Sequence, residues 1–346
     1  MLRTLVVGLG RAGAGLHIPV LLRLRREPGR RLFADGPILA VDPRPAAVPG
    51  GPEVRLVASP AAARQQLDPA RTVVHLCTPP EERTALVREL VELGFRRLII
   101  EKPLSAHHSD LAALARLVRT ERLAVSVVAP WLASTLTERL EGLVVQGELG
   151  PLRRISVRQH KPRIRRSLHT HGHPTAFDIE IPHSLGVALR LAGDAEVVQA
   201  DCQDLRVGDQ LRPALASARL VLAHRGGVRT EIVSNLASPI RERRITLRFQ
   251  HGTATGHYPG SADDEYAHLR LSGRRLSSHE VFPDDSLSHY LRRAYDRFLD
   301  ERPLPPAEFE QHVRAVGLLA DAKRISRATA RSSQPVDREL ELTHAR

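Results

Sequence analysis

Residues 5–13 read LVVGLGRAG, a short apolar run that stops at a cluster of glycines. Gly8, Gly10 and Gly13 have the spacing G-x-G-x-x-G, and the run before them predicts the first strand of the chain. In such a turn the first glycine permits the tight bend and the second lets a ligand approach the backbone. The third lets the next helix pack closely on the strand. The stretch therefore predicts a strand, a tight turn and a helix.

The start of that helix is suited to phosphate, because its first N–H groups have no partner inside the helix and its dipole attracts anions. Arg11 and Ala12 lie in the turn, and with the three glycines they are the predicted contacts of a dinucleotide pyrophosphate. A glycine-rich turn without a ligand is the less specific alternative.

Strands and helices alternate through residues 1–128, which is typical of a doubly wound parallel sheet. Helices are predicted after the glycines and over 58–67, 81–93 and 107–119. Strands are predicted over 2–7, 37–41, 72–77, 97–100 and 123–128. The predicted fold class is α/β, with an N-terminal Rossmann domain over 1–128.

From residue 129 onward, consecutive strands joined by short turns indicate a mainly antiparallel sheet. These strands are predicted over 152–160, 195–204, 217–224, 228–237, 243–250 and 266–272. Helices are predicted over 133–146, 182–192, 286–300 and 306–330. We expect a second, α+β domain over 129–346 that binds the substrate and forms the contacts between subunits.

The composition narrows the classes of function. The formal charge is +12, but only three of the 51 basic residues are lysines, and the arginines are spread along the chain. With 3% aromatic residues available for base stacking, we expect no nucleic-acid partner. Two cysteines, Cys77 and Cys202, exclude a disulfide scaffold and a cysteine-rich metal site. No apolar run is long enough to span a membrane, and we expect a cytoplasmic protein.

Asp42 ends the second predicted strand, where a carboxylate can accept hydrogen bonds from the ribose hydroxyls of the cofactor. This favours NAD. Arg44, two residues later, can instead hold the 2′-phosphate of NADP, and an ordinary turn residue before Pro43 is the third interpretation of Asp42. The sequence therefore predicts NAD or NADP, with NAD favoured.

Several further motifs occur in one order along the chain, and EKPLS at 101–105 is the most specific of them. The others are His17 and Pro19 after GLGRAG, Thr78-Pro79 after a strand, and GELGPLRRI at 147–155. In these motifs the chain resembles the Gfo/Idh/MocA family, named after glucose–fructose oxidoreductase, inositol dehydrogenase and rhizopine catabolism. The resemblance implies a nicotinamide-dependent oxidoreductase.

The same resemblance implies that Lys102 lies beside the nicotinamide and the reacting hydroxyl, and that its bond to Pro103 is cis. It also implies cofactor contacts from Thr78, Pro79 and Glu101, and a substrate contact from His17. A lysine near a cationic nicotinamide can have its pKa lowered towards neutrality, which suits proton transfer. The rarity of lysine in this chain favours that role over a lysine in a surface turn.

Counting back from Gly193, the resemblance implies that His183 is a catalytic histidine at a helix start. The chain then departs from the family, because Ile179 stands where an aspartate is usual. Asp178 and Glu180 flank it, and in an extended chain they would share one face, so either can supply the carboxylate. Asp178 is slightly favoured.

Residues 149–177 contain seven basic residues and no acidic one. Lys161, Arg163, Arg165 and Arg166 follow the predicted strand 152–160, where a substrate loop can clamp a phosphate or the pyrophosphate of a nucleotide sugar. A solvated arginine-rich loop or a subunit contact is an equally open alternative. HTHGH at 169–173 looks like a metal tract, but without a carboxylate the signal is weak and no metal is predicted.

Three departures concern the substrate rather than the redox chemistry: Gly186 replaces an aspartate, Arg83 replaces a histidine, and Pro130-Trp131 replaces an asparagine–arginine element. The predicted activity is hydride transfer between NAD(P) and a secondary alcohol or ketone of a sugar, nucleotide sugar or (amino)cyclitol. The expected assembly is a homo-oligomer, a dimer or tetramer. The alternatives are an imine reductase on the same scaffold and a non-catalytic dinucleotide-binding regulatory protein.

Overall fold

Two β-sheets organise the described part of the chain, one of six strands and one of eight. The computed structural model describes residues 1–28, 32–44, 51–105, 108–169, 174–261, 264–274, 277–300 and 306–332. Of the histidine tract at 169–173, only His169 lies within the described residues.

The first sheet is parallel throughout and has the order β3-β2-β1-β4-β5-β6. This is the strand order of doubly wound dinucleotide-binding folds, in which ligands bind where the order reverses, here between β1 and β4. Its strands are β1 Arg3–Val7, β2 Ile38–Val41, β3 Val54–Leu56, β4 Thr72–Leu76, β5 Arg97–Ile100 and β6 Ala124–Val127. Its helices are α1 Ile18–Arg26, α2 Pro60–Arg64, α3 Arg83–Glu92 and α4 His108–Thr120. The predicted Rossmann architecture is confirmed.

The second sheet has the order β14-β13-β12-β11-β7-β10-β9-β8 and is antiparallel except for the pair β7 and β10. Its first strands are β7 Leu152–His160, β8 Ala195–Val207, β9 Gln210–His224 and β10 Arg229–Asn235. The rest are β11 Glu242–Phe249, β12 Gly252–His257, β13 Tyr266–Gly273 and β14 Ser277–Pro283. The remaining helices are α5 Thr135–Gln146, α6 Ile164–His169, α7 Ile181–Ala192, α8 Ser286–Leu299 and α9 Pro306–Ser332. The expectation of a mainly antiparallel sheet is confirmed.

The last two helices pack across both halves of the chain. Tyr290, Leu291, Tyr295 and Phe298 of α8 are buried with the residues of β1 and α1. Helix α9 adds Leu318 and Leu319 to the core of the second sheet, while its Phe309 packs on the first. The two sheets are therefore joined by apolar contacts as well as by the chain between β6 and β7.

In the ranges that the structure describes, every helix is too short or too polar to cross a lipid bilayer.

Candidate active site

The glycine turn leaves β1 at the point where the strand order of the first sheet reverses. Gly8 has a φ of +94°, and a Cβ on it would lie 2.8 Å from the Cys77 carbonyl carbon. A Cβ on Gly13 would lie 1.9 Å from the Gly8 carbonyl oxygen. A Cβ on Gly10 would meet no atom within 4 Å. The fold itself thus requires Gly8 and Gly13, whereas Gly10 leaves space in which a pyrophosphate can approach the backbone.

The helix after the turn begins as a π-helical turn over Gly13–His17 and continues as α1. Its first bonds run from the Ala14 N–H to the Gly10 carbonyl, 3.0 Å, and from the Gly15 N–H to the Arg11 carbonyl, 3.1 Å. The N–H groups of residues 11–13 precede these bonds and are suited to hold phosphate oxygens.

The end of β4 borders the same turn. The Thr78 hydroxyl oxygen is buried and has no hydrogen-bond partner within the described ranges. The Thr78 backbone nitrogen lies 2.9 Å from the position of a Cβ on Gly8. Together with the space at Gly10, this unpartnered hydroxyl fits a dinucleotide at the turn.

Asp42 connects the end of β2 to the glycine turn. Its Oδ2 accepts the Leu9 N–H at 2.6 Å, and its Oδ1 accepts the Arg44 N–H at 2.8 Å. The Arg44 side chain is exposed. Each carboxylate oxygen keeps a second acceptor site, so Asp42 is both a structural tie and a possible ribose contact.

The loop that carries Lys102 follows β5, and hydrogen bonds from the Arg83 side chain hold it in place. This guanidinium is almost fully buried, and it donates to the carbonyl oxygens of Glu101 at 2.6 Å, of Pro103, and of Thr78 at 2.6 Å. Burial lowers the pKa of Arg83 to about 10. Arg83 therefore joins the ends of β4 and β5, and the bond between Lys102 and Pro103 is cis, as expected.

The Lys102 amine reaches across to the second half of the chain, where its Nζ donates to the Ile179 carbonyl at 3.2 Å. Burial lowers the pKa of Lys102. The cations Lys161 and Arg163 act in the same direction, and the carboxylates Glu101 and Glu180 oppose them. The Lys102 ammonium group therefore gives up its proton more readily than an exposed lysine does.

His183 lies in the first turn of α7, with its ring stacked on Trp131 at a centroid distance of 5.8 Å. Burial and the nearby Lys102 ammonium lower the pKa of His183 to about 3, against the opposing effect of Glu180. The imidazole is therefore neutral near pH 7. The structure brings Lys102 and His183, from opposite halves of the chain, close enough to interact electrostatically.

The two carboxylates that flank Ile179 have different surroundings. Glu180 is buried, forms an ion pair with Lys161 at 2.5 Å and interacts electrostatically with His183. Lys161 and His183 lower the pKa of Glu180 to about 2 despite its burial. Glu180 is thus an anion beside the lysine and the histidine.

Asp178, slightly favoured from the sequence, is directed elsewhere. A 3-10 turn over Ala176–Asp178 replaces the expected extended chain, so residues 178 and 180 do not share a face. The Asp178 Oδ2 accepts from the N–H and hydroxyl of Thr175, at 3.1 and 2.8 Å. Its Oδ1 pairs with Lys323 of α9. Asp178 caps a turn and anchors a helix, and the carboxylate beside His183 is Glu180.

His17 is also placed differently from the expectation of a substrate contact, because its side chain is fully buried beneath the Lys102 loop. Its Nε2 lies 3.0 Å from Glu101 Oε1, while Glu101 Oε2 accepts the Lys102 N–H at 3.1 Å. On its other side, His17 Nδ1 lies 2.7 Å from His75 Nδ1. His75 Nε2 is in turn 2.9 Å from the Tyr295 hydroxyl, which is 2.7 Å from Thr4 Oγ1.

The protonation of this buried network follows from its neighbours. Burial alone would lower the pKa of His17, but Cys77 and Glu101 outweigh it and raise that pKa to about 10. Burial lowers the pKa of His75 well below its usual value, and the charge on His17 adds to the effect. Charged His17 therefore donates to both Glu101 and neutral His75, and His75 donates to Tyr295.

A cavity of about 580 Å³ opens between the glycine turn and the segment after β7. We call it the basic cavity; its charged or ionisable lining residues are Arg11, Lys161, Arg163, Arg165, Arg166 and His169. The predicted substrate residues Lys161 and Arg163 both line it, and so does the predicted cofactor residue Arg11. No acidic side chain lines it among the described residues.

Sequence reasoning missed several contributors to the site. His75 and Tyr295 lie 58 and 278 residues from His17, and nothing local marks them as its network. The role of Arg83 was visible only as a departure from the family. The stacking of Trp131 between His183 and Tyr258, at centroid distances of 5.8 and 4.0 Å, joins residues far apart in the sequence.

Comparison with protein families matches residues 2–129 to the family described as GFO_IDH_MocA, "Oxidoreductase family, NAD-binding Rossmann fold". The match covers the first sheet and the Lys102 loop, and it confirms the resemblance drawn from the sequence. A comparison with curated proteins finds no match.

Solved structures resemble the chain over nearly its whole length. An oxidoreductase structure from Klebsiella pneumoniae has 18% sequence identity and a TM-score of 0.74, and covers 95% of this chain and 93% of its own. KijD10, a 3-ketoreductase from Actinomadura kijaniata solved with NADP and TDP-benzene, has 16% identity and a TM-score of 0.74, with coverage of 94% and 97%. An oxidoreductase structure from Yersinia pestis has 18% identity, a TM-score of 0.71 and 95% coverage of both chains. At these identities the likeness concerns the fold.

Proposed function

We propose that this chain, whose residues 2–129 belong to the Gfo/Idh/MocA oxidoreductase family, interconverts a secondary alcohol and a ketone with NAD(P) as cofactor. The proposed substrates are polyhydroxylated small molecules: a sugar, a nucleotide sugar or an (amino)cyclitol. The observation that carries the proposal is the bond from the Lys102 amine, on the Rossmann half, to the Ile179 carbonyl on the other half, directly before Glu180 and the helix that carries His183. We place the boundary between the two domains at residues 128 and 129.

The cofactor fits the glycine turn for physical reasons. The space at Gly10 and the first N–H groups of the helix suit a pyrophosphate, and the buried Thr78 hydroxyl lacks a partner among the described residues. When bound, NAD(P) supplies or accepts a hydride. Pro79 and Glu101 complete the proposed cofactor contacts. Arg83 fixes the backbone at both places, because it bonds the carbonyl groups of Thr78 and Glu101.

Lys102 is the proposed proton carrier. Reduction of a ketone needs a proton delivered to the carbonyl oxygen, and oxidation of an alcohol needs the same proton removed. Burial lowers the pKa of Lys102, so its Nζ can both donate and accept that proton. One N–H bonds the Ile179 carbonyl, which fixes the amine's direction and leaves the remaining positions for the substrate oxygen.

His183 and Glu180 complete the proposed proton chemistry. His183 is neutral because burial and Lys102 lower its pKa to about 3, so its N–H can donate to the substrate oxygen without competing for the proton. Glu180 stays ionised, and its charge raises the pKa of Lys102 against the effect of burial. The carboxylate thus keeps the lysine partly protonated.

We propose NAD as the preferred cofactor, because the Asp42 carboxylate at the end of β2 repels a 2′-phosphate. NADP is the second candidate, favoured by exposed Arg44 beside Asp42 and by the NADP bound in KijD10. Titration of both cofactors under the same conditions decides between them. Asp42→Ala should weaken the binding of NAD more than that of NADP.

A homo-oligomer is proposed through the face of the second sheet that lies opposite α7 and α9. Its residues on β12 to β14, including Thr255, His257 and Arg270, are only partly covered and line a depression of about 500 Å³. Light scattering tests this. A monomer at micromolar concentrations would refute the assembly without affecting the chemistry.

The activity is tested with a panel of sugars, cyclitols, nucleotide sugars and their ketones, followed by the absorbance of the reduced cofactor. We expect turnover of at least one member. Lys102→Met should lower kcat by about 10²- to 10⁴-fold, with cofactor affinity retained. Lys323→Met is the matched control, because this lysine pairs with Asp178 away from His183.

Equal activity of Lys102→Met and the control would refute the proposal. Cofactor binding without any turnover would favour the regulatory alternative, and turnover confined to amine-bearing substrates would favour imine reduction.

A further inference from the structure

We infer that the basic cavity binds the phosphate or diphosphate group of the substrate, so that the substrate is a phosphorylated sugar or a sugar nucleotide rather than a neutral polyol. This inference rests on the proposed function and narrows its substrate class. It starts from the charges of the cavity, which the fold leaves largely uncompensated.

Four cationic side chains of the basic cavity form no ion pair with a described carboxylate. Lys161 is paired with Glu180, but Arg11, Arg165 and Arg166 make no ion pair with any described residue. Arg163 is buried, its Nη1 makes one long contact of 3.3 Å with Ser167, and its Nε has no partner among the described side chains. A buried guanidinium with an unpartnered N–H costs free energy that a bound anion would recover.

The number of uncompensated charges indicates the kind of anion. A single carboxylate would balance one of the four cations, whereas a diphosphate brings at least two negative charges and several acceptor oxygens. Guanidinium groups bind phosphate oxygens in a bidentate geometry. The volume of about 580 Å³ exceeds that of a lone phosphate and lies in the usual range for small-molecule sites.

The position of the cavity distinguishes the substrate from the cofactor. Five of its six ionisable lining residues lie in residues 161–169, on the second half of the chain, and only Arg11 belongs to the glycine turn. Lys161 lines the cavity and bonds Glu180, which in turn interacts with His183. An anion held here is therefore adjacent to the proposed reaction centre, with its attached sugar free to reach Lys102.

The test measures binding to the enzyme saturated with NAD and, separately, with NADP, so that the cofactor's own phosphate sites are filled. Isothermal titration uses inorganic pyrophosphate and uridine diphosphate as probes, with uridine as the uncharged control. We expect both anions to bind and uridine to bind at least tenfold more weakly. Affinity should fall as salt is raised, because screening weakens attraction between charges.

The variant is Arg165→Ala/Arg166→Ala, which should weaken binding of uridine diphosphate at least tenfold while leaving the affinity for NADP unchanged. The matched control is Arg116→Ala/Arg119→Ala, which removes the same charge from the exposed side of α4. Equal affinities of the two double variants, or displacement of NADP by pyrophosphate, would overturn the inference.

Two outcomes separate this inference from the proposed function. Turnover of neutral sugars that depends on Lys102 but not on Arg165 and Arg166 would overturn the inference and leave the activity standing. Binding of uridine diphosphate without any turnover that depends on Lys102 would refute the proposed activity and support the anion site.

Discussion

Two polar regions flank Lys102, and they differ in how their charges are compensated. Beneath the lysine, the protein itself supplies most of the partners: His17 faces Glu101 and His75, and the two terminal nitrogens of Arg83 donate to three carbonyl groups, although Arg83 Nε has no partner among the described residues. Beside it, the basic cavity holds guanidinium groups that form no ion pair with a described carboxylate. Both regions are rich in cations, so charge alone does not distinguish a structural site from a binding site.

What distinguishes them is whether the protein itself supplies the hydrogen-bond acceptors for the cations. A buried cation costs several kcal/mol unless it is paired or hydrogen-bonded, so the bonds of the inner network are needed for the fold to be stable. An open cavity leaves its exposed cations, such as Arg165, hydrated and ready to exchange water for a ligand. The inner region should therefore respond to mutation in stability, and the outer region in binding.

The largest expected effect is the loss of stability on removal of the Arg83 guanidinium. Arg83→Met leaves the carbonyl groups of Thr78, Glu101 and Pro103 without their donor, and should lower the free energy of unfolding by about 3 kcal/mol or more. Arg165→Met, from the basic cavity, should change it by about 0.5 kcal/mol or less. Urea unfolding measures both. Equal losses would remove the distinction between the two regions.

The next effect separates the two carboxylates near α7. Glu180→Gln should lower kcat by about 10- to 100-fold, equivalent to about 1.4–2.7 kcal/mol. The reason is that the Glu180 charge raises the pKa of Lys102, and without it that pKa falls further. Its pH–rate profile should shift to lower pH. Asp178→Asn should leave kcat within about twofold and destabilise the protein by about 1 kcal/mol, through its turn and Lys323. A greater loss of activity in Asp178→Asn would contradict the assignment.

The third effect is the pH dependence of stability caused by His17. Its pKa is raised from the ordinary 6.5 to about 10 in the folded protein, so the folded state binds this proton more tightly than the unfolded state. The stabilisation is complete below pH 6.5 and is lost as the pH rises towards 10. His17→Gln should cost about 2 kcal/mol at pH 6 and progressively less at pH 8 and pH 10. A cost that is independent of pH would mean that His17 is not the charged member of the network.

Much of the fold was predictable, because the deciding signals are local. The glycine turn needs Gly8 and Gly13 for steric reasons, and their spacing is legible in the sequence. Strands β3, β12 and β14 were not predicted. β12 reads GTATGH and β14 reads SSHEVFP, with few apolar residues to mark a buried face. Strand β3 is a three-residue edge strand that is mostly exposed.

The site was predictable only where a residue's own neighbours carry the signal. Lys102 and His183 stand in recognisable motifs. The choice of Glu180 over Asp178 depends on a 3-10 turn that directs Asp178 to Thr175 and Lys323, and Lys323 is 145 residues away. The burial of His17 depends on His75, Glu101 and Tyr295, which meet it only when β4, β5 and α8 are assembled.

The central claim is that Lys102 holds its proton loosely, and nuclear magnetic resonance can measure this directly. The chain has three lysines, so a sample labelled with ¹³C at the lysine Cε should give three signals, which Lys102→Arg, Lys161→Arg and Lys323→Arg assign. We predict that Lys102 titrates below the ordinary lysine value of about 10.4, because of its burial and of Lys161 and Arg163. Titration of Lys102 at or above that value would contradict the account.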